Sequence, residues 1–223
     1  MRENMMRPED FNRASILREL GVTNTDAALS QIMSDMIATL CKVAWPRTIW
    51  RIYPLTWEKS LCLGDVPLPG KDIAAHLKGC TQAAVLAVTL SSAVDTIIRR
   101  FQATDMTKAL FLDAIASEAC EHLCEDVEKQ VRARTDKPFL TARFSAGYGD
   151  FPLSTQSGLL RLLDAERKIG LTATDRQLLL PMKSVTAIIG LSDSPVHDAR
   201  KYVCGVNCTG CPRYDTCRSR VTR

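Results

Sequence analysis

The residues best suited to bind a small molecule lie in one short segment, Arg143 to Pro152, which reads RFSAGYGDFP. The guanidinium of Arg143 is a planar fork of donors that matches a carboxylate. Gly147 and Gly149 let backbone amides approach a ligand closely, and Tyr148 supplies a ring face with a polar tip. Alternatively, both glycines only provide positive backbone dihedrals in a turn, while the arginine caps a helix and the tyrosine packs.

A second group of reactive side chains lies near the C-terminal end, where four of the nine cysteines stand close together: Cys204, Cys208, Cys211 and Cys217. Four thiolates can bind zinc tetrahedrally or hold an iron-sulfur cluster. Structural zinc commonly uses two separated C-x-x-C pairs, whereas these cysteines form a single run. The spacing therefore favours an iron-sulfur cluster, with zinc as second choice and unliganded thiols or a disulfide as the alternative.

The other five cysteines are scattered through apolar or helical segments without the spacing of metal ligands: Cys41, Cys62, Cys80, Cys120 and Cys124. We expect these to be buried free thiols. His122 and His197 likewise have no partner at a spacing that indicates a metal site or a catalytic triad.

Composition and charge exclude several classes of protein. The chain has 223 residues, of which 46% are hydrophobic, enough for a sizeable core. Lysine and arginine exceed aspartate and glutamate by 29 − 25 = 4, too small a surplus to indicate nucleic-acid binding. The chain starts without an apolar signal region, and its longest apolar run, 83–90, is too short to span a membrane. We therefore expect a cytoplasmic protein without a nucleic-acid or membrane partner.

Hydrophobic periodicity places these residues on a mixture of helices and strands. It predicts a helix from Asp26, with Thr25 as its N-cap, and a long helix from Met106 to Arg134 without proline or glycine. Runs rich in β-branched and aromatic residues predict strands at 47–55, 83–90 and 182–190. Without regular βαβ phasing, this order predicts an α+β fold with a mixed or antiparallel sheet and flanking helices.

Two further helices are predicted around the glycine-bearing segment. Asp72 is expected to cap a helix that ends at Gly79, and a helix over 157–170 is expected to end at Gly170. We expect one domain over residues 1–200 and a small cysteine-rich, metal-binding appendage over residues 201–223.

The spacing R-x-x-x-G-Y-x-x-x-P, which runs from Arg143 to Pro152, resembles the S-adenosylmethionine-binding motif of the activation domain of cobalamin-dependent methionine synthase. Downstream, a threonine-acid, proline and serine-valine pattern also resembles the family, at Thr174, Asp175, Pro181, Ser184 and Val185. Arg176 replaces a serine of the family pattern. The resemblance covers roughly residues 89–191 and is closest to short, free-standing members that lack the methionine synthase catalytic modules.

This resemblance implies a reactivation subunit for a cobalamin-dependent methyltransferase. Such a subunit supports reductive methylation of cob(II)alamin, with S-adenosylmethionine as methyl donor and a reduced redox protein as electron donor. The cobalamin is expected on the partner, because Asp72, His76 and Gly79 have the letters of the corrinoid motif D-x-H-x-x-G but the wrong spacing.

The resemblance also implies which residues hold S-adenosylmethionine. Arg143 is expected to bind the carboxylate, and the segment from Ala146 to Gly149, with Pro152, to orient the ligand. The positive centres of the ligand favour an acid nearby, from Asp113, Glu118 or Glu121 on the preceding helix. For each acid, an ordinary solvated helix face is the alternative.

Two other functions remain open on the sequence. The chain can be a metalloprotein that acts through its cysteine cluster as an electron-transfer or scaffold module, without methyl transfer. An ordinary S-adenosylmethionine-dependent methyltransferase is disfavoured, because the glycine-rich first turn of the doubly wound fold is missing.

Overall fold

An antiparallel sheet of six strands, in the order β3-β2-β1-β4-β8-β5, forms the centre of a computed structural model that describes residues 6–58 and 60–196. A separate two-stranded ribbon joins β6 and β7. The strands are β1 (Arg47–Thr56), β2 (Cys62–Leu63), β3 (Val66–Pro67), β4 (Gln82–Thr89), β5 (Phe139–Leu140), β6 (Thr172–Ala173), β7 (Leu179–Leu180) and β8 (Ser184–Ser192).

Seven α-helices accompany these strands in the described part of the chain. They are α1 (Arg13–Glu19), α2 (Ala27–Val43), α3 (Lys71–His76), α4 (Ser92–Thr104), α5 (Met106–Arg134), α6 (Gln156–Leu163) and α7 (Ala165–Ile169). Short 3-10 turns occur at Pro8–Asp10 and Leu153–Thr155. The predicted α+β class with an antiparallel sheet and flanking helices is confirmed.

The three long strands set the register of the sheet. Strand β1 pairs with β4 from Arg47↔Thr89 to Pro54↔Gln82, and β4 pairs with β8 from Gln82↔Leu191 to Thr89↔Ser184. Strand β4 is therefore central, and seven of its eight residues are buried, because helices cover both faces of the sheet.

Alternate side chains of β4 enter two separate cores. Ala84, Leu86 and Val88 pack on one face with the apolar sides of α2, α4 and α5. Ala83 and Val85 point to the opposite face, where α3, α6 and the β2–β3 hairpin cover them. Because successive side chains of a strand point to opposite faces of the sheet, β4 contributes apolar side chains to both cores.

Helix α5 is the longest element and lies across one face of the sheet. Asp105 caps its N-terminus by accepting a hydrogen bond from the Lys108 amide at 3.1 Å. Buried residues recur along it at helical spacing, including Leu112, Ala119 and Val127. The predicted bounds of this helix are confirmed.

Three local predictions are wrong. Asp26, and not Thr25, caps α2, because its carboxylate accepts the Leu29 amide at 2.8 Å. Asp72 lies inside the first turn of α3 and does not precede it. The helix expected over 157–170 is broken at Asp164, whose φ of 54° is left-handed, so α6 and α7 are separate.

Candidate functional site

The arginine of the motif is placed at the outer edge of the sheet. Its neighbour Phe144 forms an isolated antiparallel bridge with Ile188 of β8, through hydrogen bonds of 2.9 and 2.8 Å. On the other side, Nε2 of His76 lies 2.8 Å from the carbonyl oxygen of Ala142. Both anchors fix the backbone that carries Arg143.

The imidazole of His76 is partly buried against the motif. Its ring centroid lies 4.8 Å from that of Phe144. Burial lowers the pKa of His76, against the opposing effect of its hydrogen bond to Ala142. The ring is therefore held neutral, as a donor to the carbonyl that precedes Arg143.

After Phe144 the chain closes into a compact loop. The Tyr148 amide donates to the Ser145 carbonyl at 3.2 Å, and the Phe151 amide donates to the Tyr148 carbonyl at 2.9 Å. Gly147, with φ of +92°, donates to the carbonyl of Phe151 at 2.8 Å. The Phe151 side chain is buried in the core on the side of the sheet that α3 and α6 cover. This packing fixes the loop to the rest of the protein.

Gly149 is required by a close approach as well as by its backbone conformation. Its φ is +54°, and a Cβ at this position would lie 2.0 Å from Oδ2 of Asp72. That carboxylate accepts the Asp150 amide at 3.1 Å, while the Asp150 carboxylate accepts the amides of Lys71 at 2.7 Å and Asp72 at 2.9 Å. The loop and the first turn of α3 therefore cap each other.

These reciprocal bonds also affect the ionisation of the loop. The backbone amides of Asp72 and Lys71 hold the pKa of Asp150 below its ordinary value, because they stabilise the ionised carboxylate. The view of the glycines as turn formers is correct in part, since Gly147 and Gly149 both have positive φ.

Arg143 is held by two glutamates of α5. Its Nη2 lies 3.1 Å from Oε2 of Glu121, and its Nε lies 2.6 Å from Oε1 of Glu128. The side chain is 23% exposed. Burial raises the pKa of Glu128, although the charge of Arg143 acts to lower it. Sequence reasoning missed Glu128; its spacing of seven residues from Glu121, which places both on one helix face, was the available signal.

The thiol of Cys124 lies in the same part of α5 and interacts with Arg143. It is fully buried, and burial raises its pKa to about 12 although Arg143 opposes the rise. The thiol therefore stays uncharged next to the guanidinium.

The other predicted ligand residues have distinct places around Arg143. Tyr148 is 58% exposed and meets Phe144 edge to face at 6.0 Å between ring centroids. Ala146 is buried, and Pro152 immediately precedes the 3-10 turn that leads into α6. A cationic group and an exposed aromatic ring thus flank a glycine-bearing backbone, an arrangement that suits a zwitterionic ligand with an aromatic base.

Of the three predicted acids, Glu121 is the one that contacts Arg143. Asp113 instead pairs with Lys183, whose Nζ lies 2.9 Å from its Oδ1. Glu118 is partly buried. Burial raises the pKa of Glu19, Lys183 opposes the rise, and the charges of Asp113 and Glu118 add to it. The ligand-binding roles of all three acids stay predictions.

The cysteine cluster from Cys204 to Cys217 lies outside the described residues. Within residues 6–58 and 60–196, no three His, Cys, Asp or Glu side chains are grouped so that they can hold a metal ion. Each of the five scattered cysteines is free; Cys80, Cys120 and Cys124 are buried, whereas Cys41 and Cys62 are partly buried. No helix of the described part is long and apolar enough to cross a membrane.

Comparisons with known proteins agree with this architecture. The sequence model of the family described as vitamin B12 dependent methionine synthase, activation domain, matches residues 58–205. Among solved structures, the crystal structure of the MetH reactivation domain bound to AdoHcy matches with a TM-score of 0.54 and 18% identity, covering 77% of this chain and 67% of that chain. No curated protein matches.

The two findings carry different weight. At 18% identity, the structural likeness establishes the fold and nothing about the ligand. The family match spans well over half of the sequence and includes the whole motif from Arg143 to Pro152. The chain therefore belongs to the family of vitamin B12 dependent methionine synthase activation domains.

Proposed function

We propose that the chain binds S-adenosylmethionine at Arg143 and presents its methyl group to cobalamin carried by a partner methyltransferase. The observation that supports this most directly is the position of Arg143, fixed by Glu121 and Glu128 beside a glycine loop with an exposed Tyr148. We call Arg143, Glu121, Glu128 and the loop 145–151 the Arg143 site.

The chemistry of the ligand fits the charges of this site. S-adenosylmethionine has a carboxylate, an ammonium and a sulfonium. Arg143 has a terminal edge that can bind the carboxylate in a fork, and Glu121 lies close enough to face a positive centre of the same ligand. Tyr148 and the backbone of Gly147 and Gly149 orient the nucleoside end.

The proposed reaction balances with one electron from outside. The bond between sulfur and methyl carbon breaks, and the methyl group is transferred to the cobalt of the partner, leaving S-adenosylhomocysteine. Cobalamin supplies the nucleophilic metal for this transfer, after a reduced redox protein has delivered one electron to its cob(II) form. The chain itself holds the donor and aligns it, which is a positioning function.

Calorimetric titration of the purified chain with S-adenosylmethionine tests the binding step. We expect binding of the wild type and loss of most affinity in Arg143→Ala, with Arg134→Ala, at an exposed basic residue of the last turn of α5, as the matched control. Absence of binding to a folded wild type would falsify the proposal.

The methyl transfer needs a second experiment. A cob(II)alamin-loaded methionine synthase or related corrinoid methyltransferase is mixed with the chain, S-adenosylmethionine and a reduced redox protein as the electron donor. We expect S-adenosylhomocysteine to form in proportion to the cobalamin consumed, and formation at the same rate without the chain would contradict the assignment.

The cysteine run supports a second proposal, for the appendage over residues 201–223. Four cysteines from Cys204 to Cys217 suit an iron-sulfur cluster, or zinc as second choice, and a cluster at this place can pass the electron that the reaction needs. Anaerobic purification followed by iron, sulfide and zinc analysis tests this, with Cys208→Ser/Cys211→Ser as the variant. Retention of methyl transfer in that variant would show that the reaction does not need a metal bound by these cysteines.

A further inference from the structure

We infer that Glu128 is the positioning residue of the Arg143 site, holding the guanidinium through Nε while Glu121 only occupies the terminal edge until a ligand carboxylate replaces it. This inference rests on the proposed function and adds to it a residue that the motif does not contain. It divides two similar acids of one helix into a permanent partner and an exchangeable one.

The geometry distinguishes the two glutamates. Glu128 contacts Nε, the donor nearest the stem of Arg143, at 2.6 Å, whereas Glu121 contacts the terminal Nη2 at 3.1 Å. A guanidinium has five N–H donors in a rigid plane, so an acid on Nε fixes the plane without covering the terminal nitrogens. The terminal edge is the part that a ligand can reach.

Burial points in the same direction. The side chain of Glu128 is 39% exposed and that of Glu121 is 57% exposed. An ion pair in solvent is weak because water screens it, so the pair with Glu121 is exchanged at small cost. The pair with Glu128 is the shorter and the more protected of the two, and it persists when the ligand arrives.

Helix α5 provides a neutral surface near the guanidinium. Cys124 is fully buried there, three residues after Glu121 and four before Glu128. The uncharged thiol is at most a weak hydrogen-bonding partner of Arg143, so the charged contacts that orient the guanidinium come from the carboxylates of Glu121 and Glu128. Once displaced from Nη2, Glu121 is free to face the ammonium or sulfonium of the same ligand.

Two ligands that differ by one group test this assignment. Affinities for S-adenosylmethionine and for its decarboxylated form are measured by calorimetry on the wild type, Glu128→Gln and Glu166→Gln. Glu166 is an exposed glutamate of α7 and serves as the matched control. Thermal unfolding of each variant checks that the fold is retained.

We expect Glu128→Gln to weaken S-adenosylmethionine binding roughly tenfold, which corresponds to the loss of one charge-assisted contact. The decarboxylated ligand should bind this variant within about twofold of the wild type, since it makes no use of Arg143, and Glu166→Gln should change neither affinity. Glu128→Asp is expected to recover part of the lost affinity.

Other results overturn the inference in recognisable ways. Equal weakening of both ligands by Glu128→Gln would show a general structural role, and no weakening of either would show that Arg143 needs no support. If instead the wild type binds neither ligand, the proposed function fails together with this inference. A wild type that binds both ligands equally well would show that Arg143 does not contact the carboxylate.

Discussion

Two clusters on helix α5 bind a cation that comes from outside the helix, and the chain segments that follow these two cations differ in structure. In the first cluster, Nζ of Lys183 lies 2.9 Å from Asp113 and 3.0 Å from Oγ of Ser117. In the second, Arg143 meets Glu121 and Glu128. Both cations arrive from outside the helix and bind one stripe of its surface.

Lys183 leads directly into β8, which starts at Ser184. The carboxylate of Asp95 fixes this entry by accepting the amides of Met182 at 2.7 Å and Lys183 at 3.3 Å. Arg143 instead leads into a loop with two positive-φ glycines and a largely exposed tyrosine. The same pairing of charges therefore secures a strand in one place and leaves a surface for a ligand in the other.

The strongest test of this comparison exchanges each cation for an apolar side chain of similar length. Arg143→Met should lower the affinity for S-adenosylmethionine by about 100-fold, because the carboxylate loses its charge-assisted donors. Lys183→Met should leave that affinity within about threefold and reduce the free energy of unfolding by about 1 kcal/mol, a value discounted because Asp113 is half-exposed. Calorimetry measures the affinities and urea unfolding measures the stabilities. Equal losses of affinity in Arg143→Met and Lys183→Met would show that the two clusters do not differ in ligand binding.

A second effect, on the free energy of unfolding, is expected at the loop. Gly149→Ala should destabilise the protein by about 3 kcal/mol, since the new methyl group collides with the Asp72 carboxylate in addition to the positive φ. Gly21→Ala is the matched control, because Gly21 has φ of +68° with nothing within 4 Å of the added Cβ, and should cost only about 1 kcal/mol. Equal costs in urea unfolding would show that the close approach is not maintained in solution.

A smaller effect separates the acids of the two clusters. Glu121→Gln should weaken S-adenosylmethionine binding about fivefold, as the positive centres of the ligand lose a nearby charge. Asp113→Asn should leave that affinity unchanged within error, because its partner is Lys183. A larger loss of affinity in Asp113→Asn than in Glu121→Gln would show that the ligand binds at the Lys183 cluster instead.

The smallest effect concerns pH. Because the pKa of His76 is lowered in the folded state, the unfolded chain takes up a proton more readily as the pH falls. The contribution of His76 to stability is thus complete above its ordinary pKa of about 6.5 and declines as the pH falls below it. Urea unfolding at neutral and mildly acidic pH should show a slope that His76→Gln reduces, and an unchanged slope in that variant would contradict the expectation.

The sequence predicted the elements whose pattern is local. The bounds of α5 and the strands β1, β4 and β8 follow from periodicity and β-branched content, and all are present in the structure. The motif from Arg143 to Pro152 indicated the family correctly, which the match over residues 58–205 confirms.

What the sequence did not predict depends on contacts between distant segments. The cap of α3 comes from Asp150, 78 residues further along the chain than Asp72, so local capping rules misplaced it. The separation of α6 and α7 rests on a left-handed Asp164, a conformation that is uncommon for residues other than glycine. The choice of Glu128 as a partner of Arg143 also required the fold, because several acids of α5 were equally suitable by spacing.

The mutual capping of the loop and α3 links substitutions at two places in the chain. The side chain of Asp72 fills the space that any larger residue at 149 would need, and Asp150 fills the corresponding space at Gly70. Relatives with another residue at position 149 should therefore carry a shorter or reoriented side chain at position 72. We therefore expect positions 72 and 149 to covary in an alignment of relatives, because their side chains compete for the same space.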